Sequence, residues 1–208
     1  MKIAVLGSTG RTGRLLVTQA LGRGHQVTAV ARTPDRLADL AADNLRTVRA
    51  DVGDPATVLA AVDGADVVIS ALGITRSQDP RVLGDGAALV AGAAPRVVWL
   101  GSLGLGATTG ALGSLNGLLL KRLLRHEWDA KAVADRAVLD AGGTLVHAGP
   151  LTDRPYRGRG TLVPAQGLKP RLVPPTAPRA GIAALMLDEA EHPRHPASTA
   201  VALFPRRR

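Results

Sequence analysis

The sequence predicts an α/β fold: a doubly wound parallel sheet with helices on both faces. Three observations predict it. Short β-branched runs recur along the chain, segments of helical character separate them, and a glycine-rich turn joins the first run to the first helix. Apolar runs of about four residues bounded by turn residues suit strands buried on both sides. Strand–helix alternation closed by right-handed crossovers then gives an open Rossmann-type sheet.

The expected strands are Ile3–Leu6, Val27–Val30, Leu45–Val48, Val67–Ile69 and Val97–Leu100, followed by Thr144–Ala148 and Thr199–Phe204. Between the first two, Arg14–Gly22 places Leu15, Leu16, Ala20 and Leu21 at helical spacing. Pro34–Ala42 and Pro55–Val62 each open on a proline, whose fixed φ suits a first helical turn. Asp54 is the expected N-cap of the second. Arg81–Ala94, Leu118–Ala141 and Arg179–Glu189 complete the helices. Pro150–Pro178 is rich in Pro, Gly and Arg and reads as a substrate-side excursion. With no internal repeat and no linker long enough to hold separate units apart, residues 1–208 are expected to form one domain.

Composition narrows the function. The chain has 208 residues, of which 46% are hydrophobic, enough to build a core. It has no cysteine, which excludes disulfide scaffolds, zinc fingers, iron–sulfur sites and thiol catalysis. No helical His-x-x-x-His supports a metal, and no Gly-x-Ser-x-Gly elbow supports a serine hydrolase. The net charge is +9, but the charges are scattered, apart from the terminal Arg206-Arg207-Arg208. With aromatics at 2%, base stacking has little to work with, so nucleic acid is not an expected partner. Val97–Leu120 is uncharged, yet it carries Gly101, Gly104, Gly106, Gly110, Gly113 and Gly117; a strand and a glycine-rich loop explain it better than a membrane span. Met1–Leu6 is too short for a secretory signal. The expectation is a cytoplasmic monomer or homodimer with a small-molecule acceptor and no membrane partner.

The chemistry begins at Gly7-Ser8-Thr9-Gly10-Arg11-Thr12-Gly13. At a strand–turn–helix junction this GxxGxxG spacing points to a dinucleotide diphosphate. Gly7 permits the tight turn, Gly10 lets the backbone approach the anion, and Gly13 lets the helix pack on the strand. Thr9, Arg11 and Thr12 complete the expected cradle, facing the helix N-terminal amides. At the end of the second strand, where NAD-selective sheets carry a carboxylate, stands Arg32, followed by Arg36. A guanidinium pairs with a 2′-phosphate that a carboxylate would repel, which points to NADP(H). Asp51, ending the third strand, either accepts from the adenine amino group or caps the turn before the next helix.

Together with Asp51-Val52, Ser70-Ala71-Leu72-Gly73 and Leu151-Thr152-Asp153, these residues resemble the atypical short-chain dehydrogenase/reductases. The resemblance is to their NAD(P)H-binding, NmrA-like and biliverdin reductase B (flavin reductase)-like branch, and it runs from Met1 to about Phe204. It implies that Val52, Ala71, Leu72, Gly73 and Arg76 run alongside the cofactor. It also implies that Ser102, ending a strand similar to the family's fifth, faces the nicotinamide as the catalytic serine, and that Lys131 contacts a ribose. Thr144–Gly149 is similar to the family's "TIVRPG" strand, but His147-Ala148 stand where the family has Arg-Pro.

A second departure matters more. The main branch pairs Tyr-x-x-x-Lys for proton donation, whereas Glu127-Trp128-Asp129-Ala130 precedes Lys131 and the single tyrosine is Tyr156. This argues against ketone reduction by a tyrosine acid. It fits NADPH-dependent reduction of a conjugated acceptor such as a flavin, quinone or tetrapyrrole. The alternatives are a non-catalytic NADP(H)-binding redox sensor of NmrA type, or a sugar-nucleotide or polyketide tailoring enzyme. His126 and Glu127 read as a solvated helix face, with a place at the cleft as the alternative, His147 as a core or rim histidine, and His192 and His195 as loop residues.

Overall fold

A computed structural model describes residues 1–74, 79–112, 125–155, 158, 160–170 and 174–204. Arg76, Tyr156 and Arg206–Arg208 lie outside the described residues. In chain order the elements are β1 (Lys2–Leu6), α1 (Arg11–Gly22), β2 (Gln26–Ala31), β3 (Leu45–Arg49), α2 (Pro55–Val62), β4 (Val67–Ser70), α3 (Arg81–Ala93) and β5 (Val97–Ser102). Then follow α4 (Arg125–Asp140), β6 (Thr144–Ala148), β7 (Leu151–Thr152), β8 (Thr161–Pro164), β9 (Ala177–Pro178), α5 (Arg179–Glu191) and β10 (Thr199–Leu203).

Eight strands form one sheet in the order β3-β2-β1-β4-β5-β6-β10-β8, and every pairing but β10–β8 is parallel. Successive side chains of a strand point to opposite faces, and the core divides accordingly. Ile3, Val5, Val27, Val67 and Ile69 pack with Leu16 and Val17 of α1 and with Ile182 and Met186 of α5. Ala4, Leu6, Val68, Val97 and Trp99 pack with Val58, Leu83, Val90 and Val138 of α2, α3 and α4 on the other face. This is the doubly wound α/β sheet that the strand–helix alternation predicts. Its strand order reverses between β1 and β4, which places the ligand crevice of such sheets at their carboxyl ends.

Four expectations need correction. Helix α1 begins at Arg11 rather than Arg14, because Arg14 N–H bonds the Gly10 carbonyl at 2.9 Å and the turn leads straight into the helix. Pro34–Leu40 is a 3-10 segment and not an α-helix. The Asp54 side chain caps nothing; Thr57 donates its hydroxyl to the Asp54 carbonyl at 2.7 Å instead. The excursion after Pro150 returns to the sheet: β8 pairs antiparallel to β10, and β7 pairs with β9 at the excursion's two ends. A two-residue ladder leaves no periodic signal, so composition alone reads it as loop. The described part of Val97–Leu120 is strand β5 and a 3-10 segment at Gly106–Leu112. Among the described residues no helix is long and apolar enough to cross a membrane.

Candidate functional site

At the carboxyl end of β1, Gly7 has φ +71°, a conformation that side chains disfavour. A Cβ there would stand 2.8 Å from the Ala71 carbonyl oxygen and 2.9 Å from the Leu72 nitrogen, so glycine is what lets the turns after β1 and β4 touch. Gly13 is tighter still: a Cβ would lie 2.1 Å from the Gly7 carbonyl oxygen. The turn closes through Gly10 N–H to the Gly7 carbonyl (3.0 Å), and buried Ser8 donates its hydroxyl to the Val30 carbonyl of β2 (2.8 Å). The N-cap Gly10 offers no side chain, and no acidic residue occupies the first turn of α1. The first amides of that helix therefore lack an internal acceptor and suit a bound anion. Thr9 is half-buried beside them, whereas Thr12 is buried.

Arg32 follows β2 at the surface, with Arg36 exposed four residues on. Arg14, which the sequence did not single out, links them to the loop. Its guanidinium donates to the Arg36 carbonyl and to Asp39 Oδ2, both at 2.5 Å, and so docks the 3-10 segment on α1. The bond from Arg14 holds the Asp39 carboxyl below its ordinary range. Arg11, exposed at the helix start, pairs with Asp153, whose other oxygen accepts from Arg179 of α5 at 2.7 Å. Asp153 thus bridges the glycine loop and the start of α5.

Asp51 and Val52 follow β3, on the same half of the sheet as Arg32. Asp51 Oδ1 accepts the Gly53 N–H at 2.9 Å, which is the turn-capping half of the two roles expected of it. Val52 and Leu72 meet over Gly86 of α3, where a Cβ would stand 2.9 Å from Leu72 Cδ2 and 3.2 Å from Val52 Cγ2. Ala71 continues the β1–β4 ladder through its N–H to the Leu6 carbonyl (3.0 Å), and Gly73 is exposed beyond it.

Across the crevice, Ser102 ends β5 and Lys131 lies on the second turn of α4. Both line a cavity of about 30 Å³ together with Leu72, Trp99, Gly101 and Asp135. Lys131 Nζ donates to Glu127 Oε2 at 2.9 Å, and both side chains are mostly buried. The helix register therefore puts Glu127 on the crevice side, one turn before the lysine. Behind them lies a group the sequence did not join. His147 of β6 is fully buried; its Nε2 meets Asp135 Oδ2 at 2.9 Å and its Nδ1 meets Thr108 Oγ1 at 2.9 Å. Near the sheet's amino ends, Glu189, buried in α5, binds His195 Nδ1 at 2.9 Å and the Arg194 and His195 amides, so His195 serves the fold. Among the described residues no group of three or more metal-ligating side chains forms. A more open cavity of about 490 Å³ also lies at the amino ends, between Lys2, Gln26 and Leu45. Its one lining glycine, Gly64 in the turn between α2 and β4, opens no helix, so the crevice at the carboxyl ends is the better candidate.

A parallel sheet with its order reversed at β1, an uncapped helix start and a glycine turn admitting no Cβ define a Rossmann-fold dinucleotide binder. The chain belongs to the NAD(P)H-binding family: residues 7–193 match the family's model, as the likeness to the atypical short-chain dehydrogenase/reductases implies. It is therefore an NAD(P)(H)-binding protein of an oxidoreductase family. Two solved structures show the same fold. ChuY, an anaerobillin reductase from Escherichia coli O157:H7, is 21% identical, covers 100% of this chain and 99% of its own, and superposes with a TM-score of 0.81. The oxidoreductase ylbE from Lactococcus lactis is 19% identical, with 99% and 92% covered and a TM-score of 0.80. Among curated proteins, the photosystem II assembly factor Ycf39 of Cyanophora paradoxa is 34% identical over 80 residues, 38% of this chain. The match spans 25% of that relative's length.

Proposed function

We propose that this protein uses NADPH to reduce a planar, conjugated acceptor such as a flavin, a quinone or a tetrapyrrole. The observation that carries the reading is the pair Glu127–Lys131. A glutamate holds the lysine where the family's main branch places a tyrosine acid, which favours acceptors whose reduced form is delocalised. Bound NADPH supplies the hydride. The chain's own residues do the rest. Gly7, Thr9, Gly10, Arg11, Thr12 and Gly13 cradle the diphosphate with backbone amides. Arg32, steadied by the Arg14 clamp on its neighbouring segment, takes the 2′-phosphate. Asp51, Val52, Ala71, Leu72 and Gly73 wall the adenosine side, and Ser102 and Lys131 orient the nicotinamide end. ChuY, a reductase by name and alike over its whole length, supports the reading.

The assay mixes the protein with NADPH and a panel of flavins, quinones and linear tetrapyrroles and follows the nicotinamide absorbance. Oxidation with at least one acceptor is expected; none with any would remove the enzyme. The curated match, an assembly factor, favours a second reading in which the nucleotide is held and sensed without turnover. Tight binding of NADP⁺ and NADPH alike, with no oxidation, is the outcome that selects it.

A further inference from the structure

Arg11 and Arg179 open α1 and α5, two helices that pack on the same face of the sheet. Neither helix has an acidic residue in its first turn or a side-chain cap, so both starts keep the positive end of their dipoles. One carboxylate stands between the two arginines. Asp153 takes Arg11 on Oδ2 and Arg179 on Oδ1, the latter at 2.7 Å. It is the only acidic residue between Asp140 and Asp188. We propose that Asp153 competes with the coenzyme's diphosphate for the Arg11 guanidinium and thereby sets how fast the coenzyme leaves. The inference rests on the cradle in which the proposed function places Arg11, and not on turnover.

The contacts around Asp153 decide which partner moves. Asp153 directly follows β7, whose Leu151 and Thr152 pair with Ala177 and Pro178 of β9. The Ala177 N–H also bonds the Pro150 carbonyl at 2.9 Å. Just before them, a Cβ at Gly149 would lie 2.0 Å from the Pro175 carbonyl oxygen, so this neck is closely packed. It holds the carboxylate in place, because packed backbone does not deform freely. Arg179 directly follows β9, and its side chain is 15% exposed, against 68% for Arg11. A mostly buried guanidinium keeps its carboxylate, since leaving either charge unpaired there is costly. A long solvated side chain gives up an ion pair at little cost. Arg11 is therefore the group that turns, and Asp153 stays on Arg179.

The direction of the effect follows from charge. Arg11 sits at the first position of α1, next to the amides that suit the diphosphate. Its pair with Asp153 must be given up before the guanidinium can serve a phosphate. Once Arg11 has turned, the carboxylate remains as a negative charge beside a negative ligand. Both effects weaken binding, and both vanish when the carboxylate is made neutral. The diphosphate is common to NADH and NADPH, so the two coenzymes respond alike, in contrast to the response at Arg32. An exposed ion pair is worth up to about a factor of five in an equilibrium constant, which sets the size of the change.

The test titrates NADPH and NADH calorimetrically into wild type, Asp153→Asn, Asp153→Glu, Arg11→Ala and the double variant Arg11→Ala with Asp153→Asn, all in the full chain. Asp153→Asn keeps an oxygen for Arg179. It is expected to tighten both coenzymes about fivefold, with slower dissociation in stopped-flow displacement. Asp153→Glu retains the charge and should lose most of that gain. Raising the salt concentration should narrow the gap between Asp153→Asn and wild type. Arg11→Ala should weaken both coenzymes, and in its background Asp153→Asn should gain less, because the contested guanidinium is gone. Unchanged or weaker binding in Asp153→Asn would overturn the proposal; weaker binding with a lower melting temperature would make the carboxylate a brace of the fold. If Arg11→Ala binds like wild type, the proposal falls and Arg11 leaves the cradle with it. If Arg11→Ala weakens binding while Asp153→Asn changes nothing, the cradle stands and the competition alone falls. Magnetic resonance of the arginine Nε–H groups in wild type depends on no variant. Adding NADPH should shift the Arg11 signal and leave that of Arg179 in place; an unmoved Arg11 signal sinks the assignment.

Discussion

Replacing Arg32 by aspartate separates a 2′-phosphate site from an ordinary surface arginine. The side chain is exposed at the end of β2, and its neighbouring segment is held by the Arg14 bonds to the Arg36 carbonyl and Asp39. A hydrogen bond to a charged group contributes about 1.5–3 kcal/mol, and solvent exposure puts this one at the lower end. Since about 1.4 kcal/mol is a factor of ten, losing the contact weakens NADPH about tenfold. The new carboxylate beside a dianionic phosphate raises the loss toward about 100-fold. NADH has no group at that place, so its affinity should change far less. Calorimetric titration of both nucleotides into wild type and Arg32→Asp measures the ratio, and raising the salt concentration should shrink it. Equal losses for the two coenzymes would refute the assignment and return Arg32 to the solvated surface.

Three further substitutions probe the supports of the site. Arg14→Ala frees the Pro34–Leu40 segment and should weaken NADPH several-fold more than NADH, read by the same titration; no change would mean that the clamp does not position Arg32. Gly13→Ala forces a Cβ to within 2.1 Å of the Gly7 carbonyl, a backbone atom that cannot step aside. The cost should reach or pass the ~1–3 kcal/mol of an overpacked core, visible as a lower denaturation midpoint and lost binding of both nucleotides. Glu191 joins α5 to α1 through His25 (2.7 Å) and Arg23 (2.9 Å). Burial pushes its carboxyl up, but the bonds from His25 and Arg23 outweigh this and hold it below the ordinary glutamate value. A carboxyl lowered in the folded state stabilises above its unfolded pKa and loses that contribution as pH falls through the folded one. Tm measured against pH should therefore drop on the acid side of the ordinary glutamate range, and Glu191→Gln should flatten that limb.

What was legible in the sequence divides along a physical line. Gly7 and Gly13 could be read because backbone conformation and close approach admit one residue type, and the structure shows a positive φ at the first and a carbonyl in the place of a Cβ at the second. The strands could be read because burial on both faces demands apolar runs. Asp54 was misread because two carboxylates stand three residues apart, and the turn uses Asp51 instead. The edge strand β8 was hidden because Thr161-Leu162-Val163-Pro164 alternates too briefly to register and is defined only by its partner β10. Arg14 looked like any arginine on an amphipathic helix, since its value lies in bonds to a segment more than twenty positions away.

The same distinction explains why the Asp135–His147 pair could not be read from either residue alone. Asp135 sits four residues after Lys131, which places the two on one face of α4, and His147 is the single ionisable residue in the strand Thr144–Ala148. Either fact by itself suggests a surface carboxylate or a core histidine. Only the strand register, which sets His147 beside Gly101, opens the path by which the ring meets the helix. A periodic pattern reports which face a residue occupies, whereas the contact here depends on which residue of a neighbouring strand lacks a side chain. In this fold, then, the glycine turn can be read from local backbone demands, and the buried Asp135–His147 contact arises from one glycine on one strand making room for one histidine on the next.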